Sequence, residues 1–191
     1  MKPEGPVLRR SEWFVDSIPL GMAGELIAAF HYAKASANTA VFRHGLFHVD
    51  NPIACLGAAL WMPPTKPAAV SVDDEWRRVL ALSRLVVMPD VPTNAASFLM
   101  ARSINLIRRD GRYRTLVTYA DEGQGHTGAI YRATNWDDVG YGPTSHPGWI
   151  DGDGRRVAVK AKVNRTYAEM EALGYTRTPA TRKRKFVMRL A

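Results

Sequence analysis

The chain has 191 residues, of which 46% are hydrophobic and 23% are charged, proportions typical of a globular domain rather than a disordered chain. Lys and Arg number 26 against 18 Asp and Glu, which gives a formal net charge of +8. This balance favours a nucleic acid, a nucleotide-like cofactor or an anionic membrane face as partner, with simple solubility as the alternative. The single cysteine, Cys55, excludes an internal disulfide; a small buried side chain is the main interpretation and a catalytic thiol the alternative.

Hydropathy patterning gives no sign of a targeting or membrane-spanning segment. The first ten residues contain charges and two prolines but no apolar stretch of the kind found in signal peptides. No run approaches the roughly 18–20 apolar residues that span a bilayer. We therefore expect a cytoplasmic protein without a membrane partner.

The first half of the chain predicts one helix, a hairpin and a buried strand. Apolar residues at helical spacing predict a helix over residues 21–32. Two apolar or alternating runs, 40–49 and 53–62, predict an antiparallel hairpin because a turn signal, 50–52, separates them. The near-continuous apolar run at 79–88 is typical of a strand buried on both faces.

The second half predicts a strand–helix–strand unit and a basic end. Its expected elements are a helix over 95–109, a strand over 114–120, a short helix over 127–134 and a strand over 157–163. Together they indicate a single α/β domain over residues 1–191, with a mixed central sheet flanked by helices. An N-terminal extension at 1–18, a long Gly/Pro/Trp loop at 137–156 and a basic C-terminal strand at 174–191 complete the predicted organisation.

Two charged residues stand where a charge is costly or useful. Arg84 lies inside an apolar strand, so it either forms a structural pair or anchors a phosphate, a carboxylate or a catalytic acid. Asp121 directly follows an apolar strand and precedes a glycine-rich turn, a position that borders ligand crevices in α/β sheets. Gln124 and His126 add an amide and a titratable ring to that turn. The alternative is a capping Asp beside a turn His.

Other candidate residues give weaker signals. The small residues Ala95, Ala96 and Ser97 open a helix whose free N–H groups suit a pyrophosphate. The pair His31-Tyr32 ends the first helix, where a structural role is the alternative. The basic tract contains Arg182, Lys183, Arg184 and Lys185, and predicts phosphate contacts unless it is only a solvated tail. No Cys-x-x-Cys or His-Glu-x-x-His pattern indicates a metal site.

The order of elements resembles that of the GNAT acyltransferases. The strand at 82–88, the loop at 89–93 and the following helix look like the part of that fold that wraps the cofactor. The resemblance implies an acyl-donor site that contains the residues Val86, Val87, Asn94, Ala95, Ala96 and Ser97. It also implies that Tyr131 protonates the leaving thiolate. The loop lacks the glycine-rich signature of acetyl-CoA enzymes, because Pro89 and Pro92 remove two N–H donors, so another acyl or aminoacyl donor stays open beside acetyl-CoA.

A narrower resemblance is to the Mom-type DNA modification proteins of phages, over about residues 25–140 and the basic C-terminal strand. The motifs that carry it are His31-Tyr32, Leu82-Ser83-Arg84-Leu85, Ser97, Tyr119-Ala120-Asp121 and the stretch from Gln124 through Tyr131 to Asn135-Trp136. The resemblance implies transfer of an acyl-derived group to the exocyclic amine of adenine in phage DNA. It further implies Asp121, Tyr32, Arg84, His31 and Ser97 as functional residues.

The resulting hypothesis is an anti-restriction enzyme that modifies adenine and acts in the host bacterial cytoplasm if a phage encodes it. A flipped adenine would stack on Tyr119, Trp136 or Trp149 beside Asp121. The resemblance associates iron with this family, with His31, Tyr32 and Asp121 as candidate ligands. The alternatives are a GNAT N-acetyltransferase acting on a small amine or peptide, and a non-catalytic DNA-binding module. The oligomeric state, including a homodimer, is left open.

Overall fold

The structure is a computed structural model that describes residues 6–31, 38–142, 148–154, 156–157, 165–180 and 182–190. The helices are α1 (Leu20–Phe30), α2 (Lys66–Val70), α3 (Ala95–Asp110), α4 (Ala129–Ala133) and α5 (Tyr167–Ala172). The strands are β1 (Trp13–Ser17), β2 (Phe42–His48), β3 (Gly57–Met62), β4 (Val79–Val87), β5 (Thr115–Asp121), β6 (Asp137–Tyr141), β7 (Trp149–Ile150), β8 (Arg156–Val157), β9 (Thr176–Arg177) and β10 (Lys183–Arg189).

A seven-stranded mixed sheet organises these elements in the order β1-β2-β3-β4-β5-β10-β6. The predicted hairpin is confirmed, since β2 pairs antiparallel with β3 from Phe42–Trp61 to Leu46–Gly57. Strand β4 then pairs antiparallel with β3 and parallel with β5. A parallel pair needs a crossover, and α3 supplies it. A smaller sheet has the order β8-β7-β9.

The core of the large sheet lies on both faces of β3, because side chains alternate along a strand. Ala58 and Leu60 pack with Ile27 of α1 on one face. Trp61 points to the other face, where its Nε1 donates a hydrogen bond to Ser103 of α3. Each large apolar side chain buried in this way contributes about 1.5–3 kcal/mol to folding. The mixed α/β fold class predicted from the sequence is confirmed.

Three predicted segments differ from the structure. The expected extension at 1–18 contains β1, which pairs antiparallel with β2 as the edge strand of the sheet. The expected loop at 137–156 begins with β6, a five-residue strand with two aspartates and a glycine that lacks an apolar pattern. It also contains β7, whose two residues are too few to show a pattern. Of the predicted strand at 157–163, only its first residue lies within the described part of the chain, at the end of β8.

The chain divides into two compact units. The first unit contains residues 1–118, 128–138 and 186–191, and the second contains 119–127 and 139–185. Within the described part of the chain, no helix is both long enough and apolar enough to cross a membrane.

Candidate active site

An apolar cleft of about 580 Å³ opens in the first unit, where α3 begins beside α4. Its lining residues are Val7, Thr93, Asn94, Ala96, Ser97, Ala129, Ile130 and Ala133. Three residues predicted to hold a cofactor, Asn94, Ala96 and Ser97, therefore share one cleft. Ala95 is fully buried beneath them. Val86 and Val87 instead lie at the end of β4, paired with Ala58 and Gly57 of β3.

Polar groups fix the start of α3 at the edge of this cleft. The Asn94 Oδ1 atom accepts a hydrogen bond from the backbone N–H of Leu8 at 2.8 Å, so this side chain holds the N-terminal segment rather than capping its own helix. The Ser97 hydroxyl donates to the Asn94 carbonyl at 2.8 Å. The first backbone N–H groups of a helix have no partner within the helix, and a negative ligand is favoured there.

A second groove, of about 420 Å³, adjoins the cleft and shares Asn94, Ser97 and Ala133 with it. This groove is polar, and two arginines, Arg10 and Arg102, line it. The Arg102 guanidinium also lies 5.2 Å from the ring centre of Phe98, one helical turn earlier. An apolar cleft that continues into a groove with two cations suits a ligand with an apolar arm and a phosphorylated head.

The turn after α4, at Asn135 and Trp136, directs an aromatic ring into the core. Asn135 adopts a left-handed backbone conformation, with φ of 62°, which asparagine tolerates better than most residues. Trp136 is 4% exposed and its ring stacks at 6.3 Å on that of Trp61. In this conformation the Trp136 ring is therefore part of the core and is not accessible to a nucleic-acid base. Tyr131 packs against both Trp136 and Phe186.

A β-bulge at Ser83 shapes the middle of β4. Leu60 pairs with Arg84 whereas the next residue, Trp61, pairs with Leu82, so Ser83 is the extra residue. A bulge of this kind changes the direction of the neighbouring side chains. The Arg84 side chain is half-buried, and its Nη1 donates to the Ser83 carbonyl at 2.7 Å. His31 is buried at the end of α1, where its backbone N–H donates to the Ile27 carbonyl.

Asp121 ends β5 in the second unit and is only 5% exposed. Its Oδ1 atom accepts a hydrogen bond from the Gly123 N–H at 3.1 Å, and its Oδ2 atom lies 3.7 Å from Lys183 Nζ. The carboxylate is therefore held at a fixed position beside a cation. The alternative of a capping Asp is also met, since this bond caps the 3₁₀ turn at Glu122–Gln124.

The second unit contains two tyrosines near this carboxylate or its neighbour Glu122, namely Tyr119 and Tyr141. Tyr119 lies two residues before Asp121, so both point to the same side of β5. Burial raises the pKa of the half-buried Tyr119 hydroxyl. Gly142 passes so close that an added Cβ would lie 3.0 Å from the Tyr119 ring. Tyr141 is 46% exposed, and its hydroxyl donates to Glu122 Oε1 at 2.9 Å.

The basic tract does not form a uniform phosphate-binding edge. Lys183 contacts Asp121, whereas the guanidinium carbons of Arg182 and Arg184 lie 5.2 and 5.4 Å from the ring centre of Tyr141. This division follows from the alternation of side chains along an extended chain. Lys185 is half-buried.

The remaining predicted site residues lie in different environments. Tyr32 and the side chain of Gln124 lie outside the described residues. His126 is exposed, and its N–H donates to the Asp121 carbonyl at 3.3 Å. Trp149 is 5% exposed, so its ring is buried like that of Trp136. Among the described residues, no group of three or more His, Cys, Asp and Glu side chains could hold a metal ion, and the predicted iron site stays a prediction.

Sequence reasoning missed three residues that the structure brings into the candidate sites. Arg10 and Arg102 come from distant segments, and single arginines in a basic chain carry no signal of their own. Tyr141 lies in the segment expected to be a loop. Its position two residues before Pro143 gave no pattern to interpret.

Comparison with known proteins defines the class of the fold. The chain is similar to yncA of Salmonella typhimurium, a putative acetyltransferase solved with its cofactor acetyl-CoA, with a TM-score of 0.57 and 10% identity over 94% of each chain. It is also similar to a GNAT family N-acetyltransferase, YhbS of Escherichia coli, solved with CoA, with a TM-score of 0.50 and 14% identity over 66% of this chain and 69% of that one. The fold is therefore that of the GNAT acetyltransferases, as the order of elements predicted.

The sequence assigns the chain to a family within that fold. The Mom protein family matches residues 12–186, and the chain belongs to this family. It is 24% identical over 127 residues to the methylcarbamoylase mom of Escherichia phage Mu, a match that covers 66% of this chain and 53% of the phage protein. The chain thus spans about half the length of the curated relative that it matches. The resemblance drawn from the motifs is confirmed.

Proposed function

We propose that the chain is a transferase that adds an acyl-derived group to the exocyclic amine of adenine in DNA, and that this modification protects phage DNA from host nucleases. The observation that carries the proposal is membership of the Mom family over residues 12–186. The name of the phage Mu relative, a methylcarbamoylase, supports an acyl-derived group. The net charge of +8 supports a polyanionic substrate.

We propose an acyl-CoA as the donor class, because solved neighbours of the same fold carry CoA or acetyl-CoA. The apolar cleft at Ala96 and Ile130 fits an apolar pantetheine arm, and Arg10 and Arg102 in the adjoining groove fit the phosphates. Such a donor, when bound, supplies an activated acyl group and a thiolate leaving group. The Tyr131 hydroxyl is the candidate proton donor to that thiolate.

We propose Asp121 as the general base that activates the acceptor, the adenine amine. An adenine amine is a poor nucleophile because its lone pair is delocalised, so it needs firm positioning and a base. The Asp121 carboxylate accepts the amine proton as the new N–C bond forms, while the Gly123 N–H and Lys183 hold the carboxylate in place. Tyr119, on the same side of β5, offers a ring face to an extruded adenine.

The test separates this proposal from its two alternatives with purified protein and isotope-labelled acetyl-CoA and other acyl-CoA thioesters. We expect label to enter DNA, and release of CoA to require DNA. Release of CoA with small amines or peptides in the absence of DNA would contradict the proposal in favour of an ordinary acetyltransferase. Salt-sensitive DNA binding without a covalent product would contradict it in favour of a binding module.

A further inference from the structure

We propose that Tyr141, Arg182 and Arg184 form a stacking platform for a DNA base that neighbours the modified adenine. The inference rests on the proposed function, because it takes DNA as the substrate. It gives the second unit a further contact with DNA, in addition to the contact between Asp121 and the target adenine.

The geometry of the stacking platform is fixed from two directions. The Tyr141 hydroxyl donates to Glu122 Oε1, which limits rotation of the side chain. The two guanidinium groups lie within 5.4 Å of the ring centre, so the ring is flanked by positive charge. Nevertheless 46% of the tyrosine is exposed, which leaves ring surface open to another planar group.

This combination matches the chemistry of an unpaired nucleotide. A base can stack on an aromatic ring or on a guanidinium plane, and the arginines attract its phosphate. Stacking of this kind tolerates any base, since each base has a π-face. The two tryptophans predicted to stack the target adenine, Trp136 and Trp149, are buried, whereas the Tyr141 ring is exposed and can receive a base.

The platform serves a neighbouring base rather than the target adenine. Lys183 contacts Asp121, and its two neighbours in the chain, Arg182 and Arg184, contact Tyr141. Because successive side chains of an extended segment point to opposite sides, Tyr141 and Asp121 lie on different sides of β10. Tyr119 is the ring nearest in sequence to the carboxylate. In this proposal Tyr119 stacks on the target adenine, and Tyr141 stacks on the neighbouring base.

The test uses a short single-stranded DNA that contains 2-aminopurine, whose fluorescence is quenched by stacking, and the full chain without any donor. We expect Tyr141→Ala to weaken binding about tenfold and to abolish the protein-dependent change in fluorescence. Tyr141→Phe keeps the π-face and loses only the hydroxyl bond to Glu122, so it should retain most of the binding and the change in fluorescence. Tyr141→Leu keeps most of the volume without a π-face and decides the matter if the Ala variant does not fold.

The matched control is Tyr167→Ala, because Tyr167 is 54% exposed and carries the Arg177 guanidinium 4.4 Å from its ring centre. Its binding should equal that of the wild type. Wild-type binding and fluorescence in Tyr141→Ala or Tyr141→Leu would overturn the platform, as would an equal loss in Tyr167→Ala. Nucleoside analysis tests the proposed function separately. If Tyr141→Ala loses the change in fluorescence but the wild type produces no modified adenine, the proposed function is refuted and base stacking on Tyr141 is still supported.

Discussion

A glycine with a left-handed backbone conformation lets the start of α4 pack closely against Phe186 of β10. Gly128 precedes α4 with φ of +76°, and a Cβ atom there would clash with the Phe186 ring. Gly111 ends α3 with nearly the same φ, +75°, but has open space around it. Substitutions at the two glycines therefore distinguish two contributions to the loss of stability. At Gly111 only the left-handed backbone conformation is unfavourable, whereas at Gly128 a steric clash is added.

Gly128→Ala should destabilise the protein by about 3 kcal/mol or more, because the added carbon must displace an aromatic ring as well as strain the backbone. Gly111→Ala should cost only about 1 kcal/mol, the backbone contribution alone. Chemical denaturation of the two variants measures the difference. Equal losses would show that Phe186 does not confine Gly128.

A buried histidine makes folding sensitive to mild acid. Trp61 Nε1 donates to the Ser103 hydroxyl, whose own proton can then be donated to His44 Nδ1 at 2.6 Å, a pattern that requires neutral imidazole. Burial lowers the pKa of His44 to about 4. The unfolded chain, with a histidine pKa of about 6.5, binds a proton in this range that the folded chain does not bind.

Stability should therefore fall as the pH falls from about 6.5 towards 4, by up to about 3 kcal/mol from this residue. His44→Gln removes the titrating group, so its unfolding free energy should decline less over the same range. Denaturant titrations at a series of pH values give both curves. Parallel curves for the wild type and the variant would contradict a neutral buried His44.

The sequence predicts where a charged residue stands in a strand better than it predicts whether an aromatic ring is exposed. The carboxylate that follows an apolar run was predicted to end a strand at the sheet edge, and Asp121 ends β5 and is buried there. Its role in catalysis stays a prediction. Trp136 belongs to the stretch that carries the resemblance to Mom-type proteins, yet it fills the core. Exposure decides which aromatic ring can stack, and the sequence does not determine the exposure of a single tryptophan or tyrosine.

At the scale of elements, α3 connects the fold with the proposed donor site. Its buried face, including Leu99 and Ile107, packs on the sheet, while Arg102 lines the polar groove. Arg109 lies two turns further on and lines another groove, beside Trp13, which Arg102 also borders. Of the two arginines, only Arg102 also lines the polar groove. The same helix thus offers a test residue and a matched control.

Arg102→Ala should weaken binding of CoA about tenfold, since a charge-assisted contact to phosphate is lost. Arg109→Ala, which removes the same charge outside the donor groove, should have little effect. Isothermal titration calorimetry with CoA measures both. If the Arg102 variant binds CoA as tightly as the wild type does, the arginine groove is not part of the donor site.

Buried elements were predicted well and edge elements were not. The strands β3, β4 and β5 have apolar runs because both of their faces are covered, and the helical periodicity of α3 spans four turns. The strands β1 and β6 lie at the two ends of the sheet, and neither alternates. β1 has three successive half-buried apolar residues before the exposed Asp16 and Ser17, and β6 is mostly exposed. Their pairing depends on contacts distant in the chain, which no local pattern records.

At the scale of the whole molecule, the two units carry separate parts of the proposed reaction. The first contains the apolar cleft and the arginine groove proposed for the donor. The second contains Asp121, Tyr119 and the stacking platform proposed for DNA. The Mom family matches residues of both units, over 12–186, so the proposed function treats them as parts of one enzyme.

The most direct test of the proposed function is mass spectrometry of nucleosides from plasmid DNA, after expression of this chain in a bacterium. We predict a new, heavier deoxyadenosine whose mass identifies the added group, and its disappearance in Asp121→Asn, which keeps the size of the side chain but removes the base. The variant should remain folded, as judged by circular dichroism. Unchanged nucleosides with soluble, folded wild-type protein, or wild-type levels of modified adenine in Asp121→Asn, would contradict DNA modification by this site.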